Sequence, residues 1–281
     1  MRSVKSLIAA GAASLLSTAA FAADLPIMPP PMAYAPPPVQ DFGGWYLRGD
    51  IGMTNAKGKL HSDLYDTLPA GTGFQQYGTG FDGGMLYGIG VGYQFNNWFR
   101  ADVTGEYRSK VSFNGTDFFQ FPGPSPLGDT YHGSMQSWVG LVNVYADLGT
   151  WWCLTPFVGA GVGAATIKTG AFSDVATFPG GSGLTSSFIA DGATKTNLAW
   201  AVHAGVAYKV TNNFTVELAY RYLDMGTAGH GQGHFFDGTS AGPSTFQFRD
   251  ITSQDVKLGV RWALPCCDVP PPPPPVLIRK G

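Results

Sequence analysis

Residues 87–108 read YGIGVGYQFNNWFRADVTGEYR, and their alternation decides the fold. Tyr87, Ile89, Val91, Tyr93 and Phe95 alternate with Gly88, Gly90, Gly92 and Gln94, the period of two that belongs to a β-strand. Asn96-Asn97 supplies a turn. The next run then sets Phe99, Ala101, Val103 and Tyr107 against Arg100, Asp102, Glu106 and Arg108. A soluble barrel turns its large apolar residues inward. Here the opposite face of the same strands is charged, so the apolar face is read as meeting lipid and the charged face as lining an interior.

Working outward, the same pattern predicts about eight strands: Trp45–Met53, Tyr87–Phe95, Phe99–Arg108, Ser137–Leu148, Pro156–Thr166, Asn197–Lys209, Phe214–Tyr222 and Asp255–Trp262. All seven tryptophans (Trp45, Trp98, Trp138, Trp151, Trp152, Trp200, Trp262) fall at or near the predicted strand limits, where an indole bridges hydrocarbon and water. The predicted class is all-β, a transmembrane antiparallel up-and-down barrel with Pro-rich periplasmic arms. Connections after even strands are short. Those after odd strands (about Thr54 to Gly83, Lys110 to Gly133, Lys168 to Thr194, Asp224 to Arg249) are long and rich in Gly, Pro, Ser and Thr. Short turns face the periplasm in such barrels, which puts both termini there.

The N-terminus names the membrane. Arg2 and Lys5 precede the apolar run Leu7 to Phe21, and Ala20-Phe21-Ala22 has the small residues of a signal-peptidase site, so cleavage is expected between Ala22 and Ala23. An exported chain that crosses lipid with strands belongs in the bacterial outer membrane. The expected organisation is a signal peptide over 1–22, a Pro-rich linker over 23–42, the barrel over 43–264 and a Cys/Pro-rich periplasmic tail over 265–281. The formal charge of −2 becomes −4 once Arg2 and Lys5 are removed, and no basic cluster remains to track a phosphate backbone, which excludes nucleic acid.

At this point the residues resemble a family. GVGYQFNNWFRADVTGEYR (Gly90 to Arg108), TPFVGAGVG (Thr155 to Gly163), VELAYRYLDMG (Val216 to Gly226) and DVKLGVRW (Asp255 to Trp262) look like the small Gram-negative outer-membrane barrels called opacity-type porins or outer-membrane immunogenic proteins. The resemblance runs from about Trp45 to Leu264. Lys257, Gly259, Trp262 and Leu264 are similar in spacing to the last-strand signal read by the outer-membrane assembly machinery, although the chain continues through PCCDVPPPPPPVLIRKG. In barrel proteins of similar design, a mature terminus beginning Ala-Asp is joined through its amine to the diaminopimelate of peptidoglycan, and Ala23-Asp24 resembles that start. The Pro-rich stretch to Phe42 would reach on the order of 60 Å as polyproline II, long enough for a tether; a spacer without attachment is the alternative.

The inward set is nearly balanced: Arg48, Arg100, Arg108, Lys209, Arg221, Lys257 and Arg261 against Asp50, Asp102, Glu106, Asp147, Glu217 and Asp255. A barrel of about eight strands has room only for its own side chains, so an interlocked ionic core is expected in place of a water channel. Cys153, in a short turn, and Cys266-Cys267, after the last strand, share the periplasmic side. One expectation is a disulfide from Cys153 to Cys266 or Cys267; the other is that Cys266 and Cys267 stay free or pair with another chain.

Catalytic chemistry is not expected. His230 and His234 have an H-x-x-x-H spacing, but in a Gly-rich loop and not on a helix, so no metal site is predicted. His203 lies on an inward face without a nameable Ser/His/acid set. Gly159-Ala160-Gly161-Val162-Gly163 lacks the helix a nucleotide loop needs. No cofactor is predicted. The sequence therefore reads as a structural, surface-exposed barrel contributing to envelope integrity. Its expected partners are outer-membrane lipid, the assembly machinery, peptidoglycan, and host surface factors or antibodies at the loops. A narrow porin is the runner-up, and a lipid-modifying enzyme the third reading.

Overall fold

The computed structural model describes residues 43–63, 65–120, 127–177 and 184–264. The expected signal peptide, Pro-rich linker and C-terminal tail lie outside them. The described chain forms thirteen strands: β1 (Gly44–Ser62), β2 (Gly73–Phe81), β3 (Gly83–Gln94), β4 (Phe99–Gln120), β5 (Leu127–Asp147), β6 (Leu154–Thr169), β7 (Phe172–Thr177), β8 (Leu184–Ala190), β9 (Thr194–Lys209), β10 (Phe214–Gly229), β11 (Gln232–Phe235), β12 (Ser240–Pro243) and β13 (Phe246–Ala263). Eight of them close a ring of antiparallel pairs, in the order β1, β3, β4, β5, β6, β9, β10, β13 and back to β1. This is an up-and-down barrel with every ring strand paired on both sides, the arrangement that satisfies backbone groups in hydrocarbon.

The count exceeds the predicted eight because five short strands, β2, β7, β8, β11 and β12, form within the segments read as irregular loops. The ring strands also run further than predicted: β4 continues past Arg108 to Gln120, and β5 begins at Leu127. The sequence reading ended each strand where its lipid-facing apolar residues end. Water lies outside the barrel beyond that level, so the outer face turns polar and the strand persists under a different pattern.

Two rows of aromatics bound the lipid-facing band. Near the short turns stand Trp45 against Tyr93 (5.3 Å between ring centres) and Phe214 against Trp262 (5.9 Å). Toward the long connections stand Tyr107 against Trp138 (4.9 Å) and Trp200 against Tyr222 (5.6 Å). Phe99 to Tyr107 is eight steps along the strand, close to the roughly 9–11 residues with which a tilted transmembrane strand crosses the hydrocarbon. Trp138 and Trp200 thus mark a membrane boundary in mid-strand and not the strand limit the sequence suggested. Between the rows Ile89, Val103, Leu218 and Val256 are more than half exposed, as lipid-facing residues must be.

Candidate functional site

The barrel interior has two storeys of opposite chemistry. Within the membrane span, alternation sends six cations and six anions inward: Arg48, Arg100, Arg108, Arg221, Lys257 and Arg261 with Asp50, Asp102, Glu106, Asp147, Glu217 and Asp255. Arg48 on β1 grips Asp50 with two nitrogens (2.9 and 3.0 Å), reaches Asp102 Oδ2 at 2.7 Å and Glu217 Oε2 at 3.4 Å, and donates to the Tyr145 hydroxyl at 3.0 Å. Arg108 on β4 takes Asp255 in the same two-nitrogen manner (2.8 and 2.9 Å) and meets Glu106 at 3.0 Å. Its other contacts are Ser253 Oγ at 2.5 Å and Thr54 Oγ1.

Arg221 on β10 closes this cluster, with Nη2 2.6 Å from both Glu106 Oε1 and Asp255 Oδ2. Lys257 spans Asp50 (3.4 Å) and Glu106 (3.6 Å). Nearer the short turns, Arg100 meets Asp147 (3.2 Å) and Glu217 (3.4 Å) between the rings of Tyr145 and Phe157, 4.2 and 4.7 Å from its guanidinium carbon. Arg261 joins Glu217 at 3.5 Å and lies over Tyr46.

Sequence reasoning named the charges and overlooked the neutral groups that orient them. Tyr46 donates to Asp102 Oδ2 at 3.1 Å, and Asn143 donates to Asp102 Oδ1 at 2.8 Å. His203 Nε2 lies 3.2 Å from Asn143 Oδ1, deep among these residues and not at a rim. Tyr46, Asn143 and Tyr145 share the inward parity of the charges, and that parity was the available signal. Two glycines make room. A Cβ at Gly92 would collide with the Tyr46 ring, and one at Gly259 would stand 2.6 Å from Asp50 Oδ1. Lys209, read as inward, is exposed at the end of β9.

Beyond the outer aromatic row the interior becomes apolar. Leu60, Val111, Phe113, Met135, Phe172, Leu223, Met225, Phe248 and Ile251 form one buried cluster, with Phe113 and Phe248 rings 4.8 Å apart. This storey lies in the stretches read as loops. Its signal was present in VSFNGTDFF (111–119), where Val111, Phe113, Gly115, Asp117 and Phe119 are buried and the residues between them are not.

Within it, Asp117 on β4 and Asp129 on β5 are register partners, and Asp174 on β7 pairs with Tyr131. The Tyr65 hydroxyl donates to Asp117 Oδ2 at 2.7 Å, Gln76 Nε2 lies 3.4 Å from the same oxygen, and the Tyr131 hydroxyl lies 3.4 Å from Asp129. Burial first, and then the neighbouring carboxylates, push Asp129 up to about 6 and Asp174 up to about 7; burial raises Asp117 as well.

The remaining sequence candidates separate. His230 is buried between Phe172 and Phe248 with Nδ1 3.3 Å from the Phe246 carbonyl oxygen, whereas His234 lies 3.6 Å from Asp191 near the surface, so the two imidazoles do not converge. A His/Asp group that the sequence reading overlooked is His61 with Asp63 (3.6 Å) and Asp66 (3.4 Å), where Arg249 competes for Asp63 at 3.7 Å. Cys153 is exposed in the β5–β6 turn at φ 68°; Cys266 and Cys267 lie outside the described residues, as do Ala22, Ala23 and Asp24. Of the assembly-signal residues, Lys257 and Gly259 point inward, Trp262 faces outward and the Leu264 amide donates to the Trp45 carbonyl at 2.8 Å, beside the ring closure.

Residues 8–263 match the profile of the outer membrane protein beta-barrel domain. An uncharacterized protein of Brucella abortus (strain 2308) is 35% identical over 222 residues, covering 73% of this chain and 76% of its own. Outer membrane protein PagN of Salmonella typhimurium is 28% identical over 188 residues, covering 63% and 71%. Among solved structures, Neisserial surface protein A (NspA) is 18% identical, covers 79% of this chain and 97% of its own, and gives a TM-score of 0.40. A closed ring of eight strands, girdled by aromatics and matched over nearly its whole length, places the chain in the outer-membrane β-barrel family.

Proposed function

We propose that this outer-membrane barrel is a structural, surface-exposed component of the envelope, without catalytic activity. The observation that carries this reading is the balanced interior. Six cations and six anions pack in the lumen, and Arg100, Asp102, Glu106, Glu217, Arg221 and Asp255 are each no more than 3% exposed. A water-filled channel would leave such side chains solvated. Here they are spent on one another, which yields a rigid wall plug and no path for solute.

In this reading the apolar outer storey holds the long connections as a fixed platform above the membrane, the part available to host surface factors or antibodies. Cleavage after Ala22 would free Ala23-Asp24 for amide linkage to peptidoglycan, with the Pro-rich stretch as its reach. The strand β13, through Lys257, Gly259, Trp262 and Leu264, would serve the assembly machinery.

Planar-bilayer recording of the folded chain tests the plug. No steady unitary conductance is expected; stable, ion-conducting steps would establish a narrow pore in its place. Muramidase digestion of cell walls tests the tether separately, by whether the Ala23 peptide carries a muropeptide mass or a free amine.

A further inference from the structure

The cations outside the lumen are unevenly placed. Of the described Lys and Arg residues, the six of the ionic network are inside and Lys209 is at the short-turn end. The other six, Lys57, Lys59, Lys110, Lys168, Lys195 and Arg249, reach solvent on the far side, past the outer aromatic row. Three of these gather at a gap in the wall. Pairing of β1 with β3 ends at Asn55 and Gly83, and β2, which prolongs the line of β3, pairs with β4 and not with β1. Lys57 and Lys59 stand on the β1 side of the gap, and Arg249 is the register partner of Lys59 on β13.

The gap holds a cleft of about 620 Å³ lined by Lys57, Lys59, Thr79, Phe81, Tyr222 and Thr252 among others. Tyr222 packs on Trp200 in the outer girdle, so the floor of the cleft is continuous with the lipid-facing wall. Lys57 makes no ion pair among the described residues. Lys59 meets Asp250 at 3.0 Å, but both side chains are more than two-thirds exposed, and such a pair is weak and exchangeable.

From this placement we infer that the β1–β2 cleft binds the phosphorylated head group of an outer-leaflet glycolipid, with the Lys57 and Lys59 ammoniums on phosphate and the acyl chains descending past Tyr222. The position at the hydrocarbon boundary selects a lipid over a soluble polyanion, which would meet the lysines without needing a floor at the girdle. This goes beyond the structural role proposed above and does not depend on it.

The test uses the full chain folded in dodecylmaltoside micelles, titrated with diphosphoryl lipid A and read by native mass spectrometry. K57Q/K59Q is expected to weaken binding at least ten-fold, K57R/K59R to retain it, and K110Q/K168Q, elsewhere on the outer face, to change it less than two-fold. Dephosphorylated lipid A should bind the unaltered chain as weakly as diphosphoryl lipid A binds K57Q/K59Q. The single variant K57Q, which breaks no ion pair among the described residues, is expected to lose about three-fold and carries the test alone if the double variant loses its heat-modifiable gel mobility. Unchanged binding by a folded K57Q overturns the site, as do equal losses in K57Q/K59Q and K110Q/K168Q. Loss of heparin-fragment binding with lipid A binding intact assigns the lysines to a soluble polyanion and also overturns it.

Discussion

Arg108 and Val111 are successive inward-facing residues of β4 although they are three positions apart. The β4–β5 register jumps between them, from Arg108↔Ser137 to Val111↔Met135, so the bulge at Ser109-Lys110 moves the inward parity from even to odd numbers. Below the bulge, Arg100 to Arg108 face the lumen and Phe99 to Tyr107 the lipid; above it, Val111 and Phe113 face in and Lys110 and Ser112 face out. The phase change coincides with the passage from lipid to water outside the wall. Both solvents are thereby met by a single strand.

Deleting Lys110 should remove the extra residue of the bulge, leaving Ser109 alone between Arg108 and Val111, so that Val111 and Phe113 follow Arg108 at the ordinary period of two and still face inward. The variant should fold, with the boiled and unboiled forms differing in gel mobility and the stretch 111–120 as resistant to external protease as in the unaltered chain. Protease sensitivity of 111–120 in the deletion variant would show that the bulge itself is needed to hold the outer storey.

Arg221 touches both Glu106 and Asp255 at 2.6 Å, so Arg221→Met leaves two buried carboxylates short of a cation. Breaking a buried pair from one side costs about 3–5 kcal/mol. A corresponding drop in unfolding free energy is expected in urea titrations from lipid vesicles. R221M/D255L should recover part of that loss, because the second change brings the lumen back to equal numbers of cations and anions, with Arg108 still on Glu106.

Val91 and Val260 lie on the lipid face, each about two-fifths exposed. Val91→Arg or Val260→Arg should destabilise by roughly 2–4 kcal/mol if the site is near the bilayer midplane. The same vesicle titration reads it, and a loss below about 1 kcal/mol would move the site to an interface.

The outer storey should respond to pH through Asp117 on β4, Asp129 on β5 and Asp174 on β7, faced by Tyr65, Gln76 and Tyr131, with no ion pair to any of the three among the described residues. Their folded values are raised above the ordinary 3.8, so the folded state holds protons that the opened state releases. Stability of this storey is then fullest below about pH 4 and declines as pH rises through about 6 to 7. Amide exchange over 128–132 and 173–177 should be slower at pH 5 than at pH 8 after correction for intrinsic rates, and Asp129→Asn with Asp174→Asn should remove the difference.

Alternation is a local property, and it was enough to read the barrel class, the inward parity of the charges and the side bearing the short turns. Stretches such as Tyr87 to Arg108 carry their own record of lipid on one face and a polar interior on the other. Which acid each arginine meets is not local: Arg48 and Asp102 are 54 residues apart, Arg108 and Asp255 are 147, and only the ring order and register bring them together. The outer storey escaped for a different reason. Past the membrane the outside solvent is water, so an inward Phe113 or Phe248 carries the hydrophobic pattern of a soluble barrel, and a reading tuned to lipid-facing residues ends its strands too early. The bulges at Ser109-Lys110 and near Asp250 join the two patterns, and they become visible only when the partner strands fix the register.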